Sequence, residues 1–261
     1  MGILLRLLAG LVLLLSLLLA GPLWMLATNE VAAGGHWASA GREPAGLAPA
    51  PAEAPEAVVQ LYAARAWGWR GAFGVHTWIA TREAGAERWR LHHVMSWRRP
   101  ARVSETASTP DRAWYGSAPA LLADYRGAPA ERLIPAIEAA VAAYPAPQAY
   151  RAWPGPNSNT FTAWVVREVP GLEAVLPVTA VGKDYLLDGP LAMAPGGRGL
   201  TASLGGVFGL TLGVDEGVEL NLLGLVVGID LRRPALKLPG VERLGMAPLV
   251  KGASGEAPVE P

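Results

Sequence analysis

The sequence predicts an α+β domain, with helices packed on a mixed or antiparallel sheet, and one transmembrane helix at the N-terminus. Three observations predict this fold class. From Phe73 to Thr81 the side chains alternate as in a strand with two different faces. Apolar residues recur at helical spacing from Leu133 to Tyr144. An uncharged, leucine-rich run precedes both, from Leu7 to Asn29.

The N-terminal run has the length of a membrane anchor. A helix needs roughly 20 apolar residues to cross a hydrocarbon core of about 30 Å, and the run from Leu7 to Asn29 is long enough. Arg6 precedes it and Glu30 follows it. The positive-inside rule therefore predicts a single-pass protein of the cytoplasmic membrane, with its globular domain on the extracytoplasmic side. The alternative is a cleavable signal peptide, for which residues 31–33 offer small side chains.

Composition divides the chain into four parts. Residues 1–30 form the anchor or signal segment. Residues 31–56 are rich in Pro, Ala and Gly and predict a linker, because they carry too few large apolar side chains to form a core. A globular domain is expected over residues 57–247, and a disordered tail over residues 248–261.

Local patterns predict the elements of the domain. Helices are expected over 57–66, 119–125, 130–143 and 158–169, and paired strands over 73–81 and 88–98. The third helix has the clearest limits, because Pro129 suits a first turn and Pro145 ends the pattern.

The last third of the chain is rich in glycine and nearly uncharged. Apolar and small side chains alternate from Gly199 to Val214, the run from Leu220 to Ile229 is apolar again, and Asp215-Glu216-Gly217 separates the two. A period of two predicts a long glycine-rich β-hairpin at the end of the globular domain. Core packing is its expected role, and contact with lipid is the alternative.

Composition also excludes some classes of function. Lys and Arg number 22, as do Asp and Glu, so no basic stripe predicts nucleic-acid binding. The absence of cysteine excludes disulfides, thiolate chemistry and Cys-ligated metal sites. His92 and His93 are adjacent in a predicted strand and point to opposite faces, which does not suit a shared metal ion. We therefore expect no cofactor and no metal.

A histidine and a serine form the candidate site. His76 lies within a predicted strand, and Ser158 lies at a predicted helix start. A base activates a nucleophile when the fold brings the two within hydrogen-bonding reach. Backbone N–H groups at a helix start stabilise an oxyanion, and Asn157 or Asn159 is a candidate further donor. The structural alternative is that Asn157 or Ser158 only caps the helix and that His76 is half-buried in the sheet.

The globular part of the chain contains four distinctive motifs. They are Trp-Arg-Gly-x-Phe-x-x-His-x-Trp-Ile at 69–79, Trp-Pro-Gly-Pro-Asn-Ser-Asn-Thr-Phe at 153–161, Gly-Lys-Asp-Tyr at 182–185 and Ala-Leu-Lys-Leu-Pro-Gly at 235–240. Together they resemble a bacterial membrane-anchored family that is classed as a domain of unknown function. The resemblance covers about residues 57–246. It implies no established activity.

The Asn-Ser-Asn-Thr-Phe sequence at 157–161 is more distantly similar to the Cys signature of circularly permuted papain-like proteins. These include NlpC-type peptidases and the PPPDE and lecithin-retinol-acyltransferase-like groups. The resemblance implies a papain-like fold in which His76 is the base and Ser158 occupies the nucleophile position. The third polar residue would be His92 or His93. The departure is the serine, which is a far weaker acid than cysteine.

Two classes of function follow from the site. The first is a non-catalytic binding or structural module, which the missing thiol favours, with an envelope peptide, glycopeptide or lipid as ligand. The alternative is a cell-envelope amide or ester hydrolase, or an acyltransferase. In that case Ser158 is the nucleophile, His76 is the general base, and His92 or His93 orients it.

Overall fold

The structure is a computed structural model that describes residues 2–28, 31 and 38–252. Within these residues it is an α+β fold with three α-helices and two antiparallel sheets. The helices are α1 (Gly2–Ala27), α2 (Ala128–Ala143) and α3 (Ser158–Glu168). The first sheet contains β1 (Val58–Arg65), β2 (Val75–Arg82), β3 (Trp89–Val94), β4 (Arg102–Ala107) and β5 (Ala120–Arg126). The second contains β6 (Leu191–Met193), β7 (Gly199–Leu204), β8 (Phe208–Gly213), β9 (Gly217–Leu222), β10 (Leu225–Asp230), β11 (Ala235–Leu238) and β12 (Glu242–Gly245).

The first sheet has two differently covered faces. Its strand order is β4-β3-β2-β1-β5. Helices α2 and α3 pack on one face, where Ile79 joins Ile137 and Phe161 in the main core; we call this the helix face. Side chains of alternate positions, such as Trp78 and Trp89, form a second cluster on the opposite face, which we call the tryptophan face. Because both faces are covered, the central strands β1 and β2 are almost entirely buried.

Two predicted helices are strands in the structure. Residues 57–66 contain β1, and residues 120–125 belong to β5. β1 is buried on both faces, so its apolar residues form a continuous run instead of an alternation, and periodicity alone does not separate such a run from a helix. The predictions of α2, of α3 and of the β2–β3 pair are confirmed.

The predicted glycine-rich hairpin is part of a larger sheet. Its two arms each contain two strands, β7–β8 and β9–β10, and the predicted turn at 215–217 joins them. β6, β11 and β12 extend these into a seven-stranded meander in chain order. Gly205, Gly206 and Gly224 lie in the additional turns with positive φ, a conformation that glycine adopts without steric cost.

The expected linker and tail both pack on the domain where the structure describes them. Leu47 N donates to Asp111 Oδ2 at 2.7 Å, and Leu47 contacts the tryptophan face. At the other end, Lys251 is buried and pairs with Asp215 at 2.8 Å. Specific anchors of this kind do not show in composition. Residues 32–37 of the linker and 253–261 of the tail lie outside the described residues.

Helix α1 is the one described helix that is long and apolar enough to span a membrane. Most of its apolar side chains are exposed, and Leu18 and Pro22 are its buried residues. Near its C-terminal end, Gly21 lies directly against the carbonyl of Pro239, and Gly240 lies against Pro22. The helix therefore contacts the domain through its last turns and projects away from it.

Candidate functional site

His76 lies on the tryptophan face near the start of β2. The residue is 6% exposed, and its ring stacks on Trp114 with 3.8 Å between centroids and 13° between planes. Burial disfavours the charged imidazole and lowers the pKa of His76 well below its usual 6.5, and the neighbouring His93 acts in the same direction. His76 is therefore neutral at pH 7, as a general base must be.

His93 and Glu105 extend from His76 across neighbouring strands. His76 Nε2 and His93 Nδ1 are 3.3 Å apart, within hydrogen-bonding distance. His93 Nε2 is 3.5 Å from Glu105 Oε1 on β4, a contact that lacks good hydrogen-bond alignment. Contact with His93 lowers the pKa of Glu105. Such a chain of polar groups can fix the tautomer and the orientation of the first ring.

His92 lies on the helix face, away from His76. Its Nδ1 is 2.9 Å from Ser104 Oγ, and its Nε2 is 3.3 Å from Thr81 Oγ1. Burial lowers the pKa of His92 to about 4, and Arg90 contributes to the shift. Of the two histidines that the sequence left open, the structure brings His93 to His76.

Ser158 is the first residue of α3, which packs on the helix face. Its carbonyl accepts from Thr77 Oγ1 at 3.4 Å. Within the described part of the chain, neither its hydroxyl nor its N–H has a hydrogen-bond partner. Free N–H groups at a helix start favour negative charge. The surroundings of Ser158 therefore suit an anionic or carbonyl group.

His76 and Ser158 meet at one cavity, although they lie on different faces of the sheet. The cavity has a volume of about 420 Å³ and lies where β1 and β3 end and β2 begins; we call it the Ser158 cavity. Its aromatic walls are Trp67, Trp97, Trp114 and Tyr150. No hydrogen bond joins Ser158 Oγ to the ring of His76, whose Nε2 faces His93 instead.

Asn157 holds the helix start together. Its Oδ1 accepts from the backbone N–H groups of Asn159 at 2.9 Å and of Thr160 at 3.2 Å, which caps α3. Its Nδ2 donates to the carbonyls of Ala152 at 3.1 Å and Val181 at 2.9 Å. The carboxamide thus links the loop before α3, the first turn of α3 and the loop that follows α3.

Asn159 has a comparable structural position. Its Nδ2 donates to the carbonyls of Val75 and Val181, both at 2.9 Å, and its Oδ1 accepts from Thr77 Oγ1 at 3.0 Å. These bonds tie α3 to β2 and place Ser158 at the sheet. Since both asparagine carboxamides are occupied, neither is a free oxyanion donor, and the unpartnered N–H of Ser158 is the donor nearest the nucleophile position.

A second cavity of about 450 Å³ shares Trp97 and Trp114 with the Ser158 cavity. His93 and Glu105 form part of its wall. Four arginines also line it: Arg42, Arg88, Arg98 and Arg112. We call it the arginine cavity, and its one lining carboxylate, Glu105, is 3.6 Å from Arg98. The cavity therefore carries a positive charge next to exposed aromatic surface.

Sequence reasoning missed Glu105, Trp114 and the four arginines. Glu105 belongs to β4, a short strand that is half exposed on both sides, so its residues show no clear alternation. Only the observed pairing with β3 gives its position: β4 places Val103 opposite His93 and Glu105 opposite Leu91, so Glu105 lies on the same face of the sheet as His93. Trp114 lies in a loop, where no periodicity indicates its position.

Comparison with known proteins identifies a family for part of the chain but no activity. No curated protein and no solved structure matches the chain. A family model described as protein of unknown function matches residues 56–185. The match spans the first sheet, α2 and α3, with His76, His93 and Ser158, and ends before the second sheet. Residues 56–185 therefore contain a domain of the family of proteins of unknown function DUF3750.

Proposed function

We propose that this protein is a non-catalytic binding module of the cell envelope, anchored by α1 with its globular domain outside the cytoplasm. Its ligand is an acidic envelope molecule, such as a peptide or glycopeptide carrying carboxylates or a lipid headgroup carrying phosphate. The observation that carries the proposal is that the Ser158 cavity and the arginine cavity are neighbours, with Trp97 and Trp114 in the walls of both.

The chemistry of the two cavities matches such a ligand. Guanidinium groups bind carboxylate and phosphate through paired N–H donors, and four of them line one cavity. Trp97 is 57% exposed and offers an apolar, planar surface beside them. A few polar groups among aromatic walls are typical of small-molecule sites.

Three features favour binding over catalysis. Ser158 stands where papain-like enzymes have a thiolate, and a hydroxyl is much harder to ionise. Ser158 Oγ makes no hydrogen bond with His76. Trp114 covers one side of the His76 ring. The order of His76 on an early strand, a polar residue on the next strand and Ser158 at a helix start nevertheless supports a circularly permuted papain-like origin for the cleft.

Calorimetric titration of the full chain in detergent tests the binding proposal. The probes are muramyl dipeptide, which carries carboxylates on a sugar peptide, and sn-glycerol 3-phosphate, with N-acetylglucosamine as the neutral control. We expect an anionic probe to bind and the double change Arg88→Gln with Arg98→Gln to weaken it at least tenfold. Arg132→Gln, an exposed change on α2 outside the cavity, should leave binding unchanged. Ser158→Ala should also leave it largely intact. Binding of the neutral sugar alone, or of no probe, would contradict the proposal.

The His76–His93–Glu105 chain favours a second candidate, an amide or ester hydrolase or acyltransferase. In this reaction Ser158 Oγ attacks a carbonyl carbon while His76 accepts the hydroxyl proton. The Ser158 N–H donates to the resulting oxyanion. As the bond to the leaving group breaks, His76 returns the proton to it, and the acyl group stays on Ser158. Water or another acceptor then attacks the acyl-serine, with the same proton transfers.

A fluorophosphonate probe tests this candidate on the full chain in detergent. Ser158→Ala and His76→Ala should each abolish labelling. His93→Gln should slow labelling, and His92→Gln should not, because His92 lies on the other face of the sheet. Labelling that survives His76→Ala would exclude the Ser158–His76 pair.

A further inference from the structure

The second sheet exposes an apolar face. One row of directly paired residues crosses all seven strands, and each of its side chains is 38–58% exposed. The row is Met193, Leu200, Leu212, Val218, Ile229, Leu236 and Leu244. Neighbouring rows on the same face add further apolar side chains, including Leu191, Leu204, Phe208, Leu210 and Leu220. The expected core role of this segment is therefore wrong for this face.

The opposite face of the same sheet is polar and buried. Thr201 and Thr211 bond to each other at 3.0 Å, and Glu219 pairs with Lys237 at 2.6 Å. Glu219 also accepts from Lys183, a buried residue of the loop beneath the sheet. A one-sided antiparallel sheet in water has the reverse arrangement, with its apolar face on the core. The outer face of this sheet is consequently built for an apolar environment.

The exposed face matches the largest apolar patches of typical monomers in area. Seven strands at about 4.8 Å spacing and about five residues at 3.3 Å each give roughly 550 Å². The largest apolar patch on a typical monomer measures about 300–600 Å² and is often functional. α1 adds a second exposed apolar surface at the edge of the sheet.

The two ends of the sheet differ in charge, and α1 joins the uncharged end. The turns at 205–207, 223–224 and 239–241 hold no charged residue, and the last of them contacts Gly21 of α1. The turns at the opposite end carry Arg198, Asp215, Glu216, Arg232 and Arg233. The turns thus change from uncharged, next to a helix of membrane-spanning length, to charged at the far end of the sheet. The same change in polarity occurs between the apolar interior of a membrane and water.

We infer that the outer face of the second sheet binds a lipid bilayer, as a membrane contact separate from α1. The uncharged turns and the apolar side chains beside them, including Leu204 and Phe208, enter the apolar part of the leaflet. The row of seven lies closer to the charged turns, which stay in water. A second copy of the chain is the weaker occupant, because packing of two such sheets leaves the exposed leucines of α1 uncovered. The inference is independent of what the Ser158 cavity binds.

Site-specific fluorescence on the full chain tests this inference. The chain has no cysteine, so Leu204→Cys, at an exposed apolar position beside the uncharged turn at 205–207, gives a single label position. Glu83→Cys, in the exposed turn between β2 and β3, is the matched control. Each variant carries a bimane label and is reconstituted in vesicles of phosphatidylethanolamine and phosphatidylglycerol, at high lipid excess. Nitroxide-labelled lipid and aqueous iodide serve as quenchers.

The three outcomes are distinct. We expect nitroxide lipid to quench the label at position 204 at least threefold more than the label at 83, with iodide showing the reverse order. Equal quenching by iodide at both positions would overturn the inference in favour of a water-exposed face. Protection of position 204 from both quenchers, with disulfide cross-linking between unlabelled Leu204→Cys copies, would overturn it in favour of a dimer.

Discussion

The indole of Trp114 lies flat on the imidazole of His76, with 3.8 Å between ring centroids. Trp114 also forms a wall of both the Ser158 cavity and the arginine cavity. One side chain therefore excludes water from the candidate base and shapes the two spaces beside it.

Removal of this indole should raise the pKa of His76. In Trp114→Ala, water reaches the ring and the desolvation that disfavours its charged form decreases. Titration of the histidine Hε1 resonances by NMR measures the shift. His92 is the internal control, because it lies on the helix face and its pKa of about 4 should not change. An unchanged His76 titration would show that Trp114 is not the source of its dehydration.

Stability should decrease in mild acid. His92 has a pKa of about 4 in the folded chain and near 6.5 when unfolded, so between these values the unfolded chain binds more protons. The free energy of unfolding is then at its full value above pH 6.5 and falls as the pH drops towards 4. At 1.36 kcal/mol per pKa unit the loss from His92 is at most about 3 kcal/mol, and His76 adds to it with the same sign.

Urea unfolding at pH 7.5, 5.5 and 4.5, followed by tryptophan fluorescence, measures this loss. His92→Gln should show a weaker dependence on pH than the unchanged protein, because the substituted side chain does not titrate. If the two proteins lose stability equally on acidification, the dependence has another source.

The buried charges beneath the second sheet should be sensitive to single changes. Glu219 accepts from Lys237 at 2.6 Å and from Lys183 at 2.8 Å, and these lysines lower its pKa despite burial. Lys237→Met leaves the carboxylate undercompensated and should cost about 3–5 kcal/mol of unfolding free energy. Arg90→Gln, which breaks an exposed pair with Glu138, should cost about 1 kcal/mol or less. Similar losses in the two variants, measured by urea unfolding, would contradict this ranking.

The contact between α1 and the domain should depend on one glycine. A Cβ at Gly21 would collide with the carbonyl of Pro239, whereas a Cβ at Gly10 meets nothing within 4 Å. Gly21→Leu should therefore separate the helix from the β11–β12 turn, and Gly10→Leu should not. Spin-label distances between α1 and the second sheet, in the full chain in vesicles, report the separation. Equal distances in the two variants would show that the glycine is not required.

Asn157 should matter more for stability than Ser158. Asn157→Ala removes the α3 cap and two hydrogen bonds to loop carbonyls and should cost about 2 kcal/mol or more. Ser158→Ala removes a hydroxyl without a partner among the described residues and should change the free energy by under about 1 kcal/mol. Thermal unfolding of both variants measures the difference. A larger loss in Ser158→Ala would indicate a structural role for that hydroxyl.

Elements with strong local signals could be predicted from the sequence. Pro129 and the apolar stripe determine α2, and Asn157 before an apolar helix determines the start of α3. Val58 to Arg65 could not be assigned, because a central strand buried on both faces has the composition of a buried helix. The sequence predicts one long hairpin over 199–229, whereas the structure has four strands there within a seven-stranded sheet, and the exposed apolar face is not predicted. Apolar residues normally mark the side that faces the core, and this sheet has the reverse orientation.

The candidate site could also be predicted from the sequence only in part. The sequence identified His76 and Ser158, and the structure places both at one cavity. It left His92 and His93 open, because only the register of β2 and β3 decides which ring meets His76. The expected role of Asn157 and Asn159 as oxyanion donors requires free carboxamides. Their hydrogen bonds to distant loop carbonyls depend on the folded chain and show in no local pattern.

The close packing of Gly21 on Pro239 restricts how far the globular domain can move relative to α1. If α1 anchors the protein in a membrane, as we propose, a domain that packs on the end of the helix does not swing freely. The Ser158 cavity then stays at one height above the point where the helix ends. Only molecules presented at that height, and from the side on which the cleft opens, come within range. The position of a molecule relative to the membrane would then restrict its binding before its chemistry does.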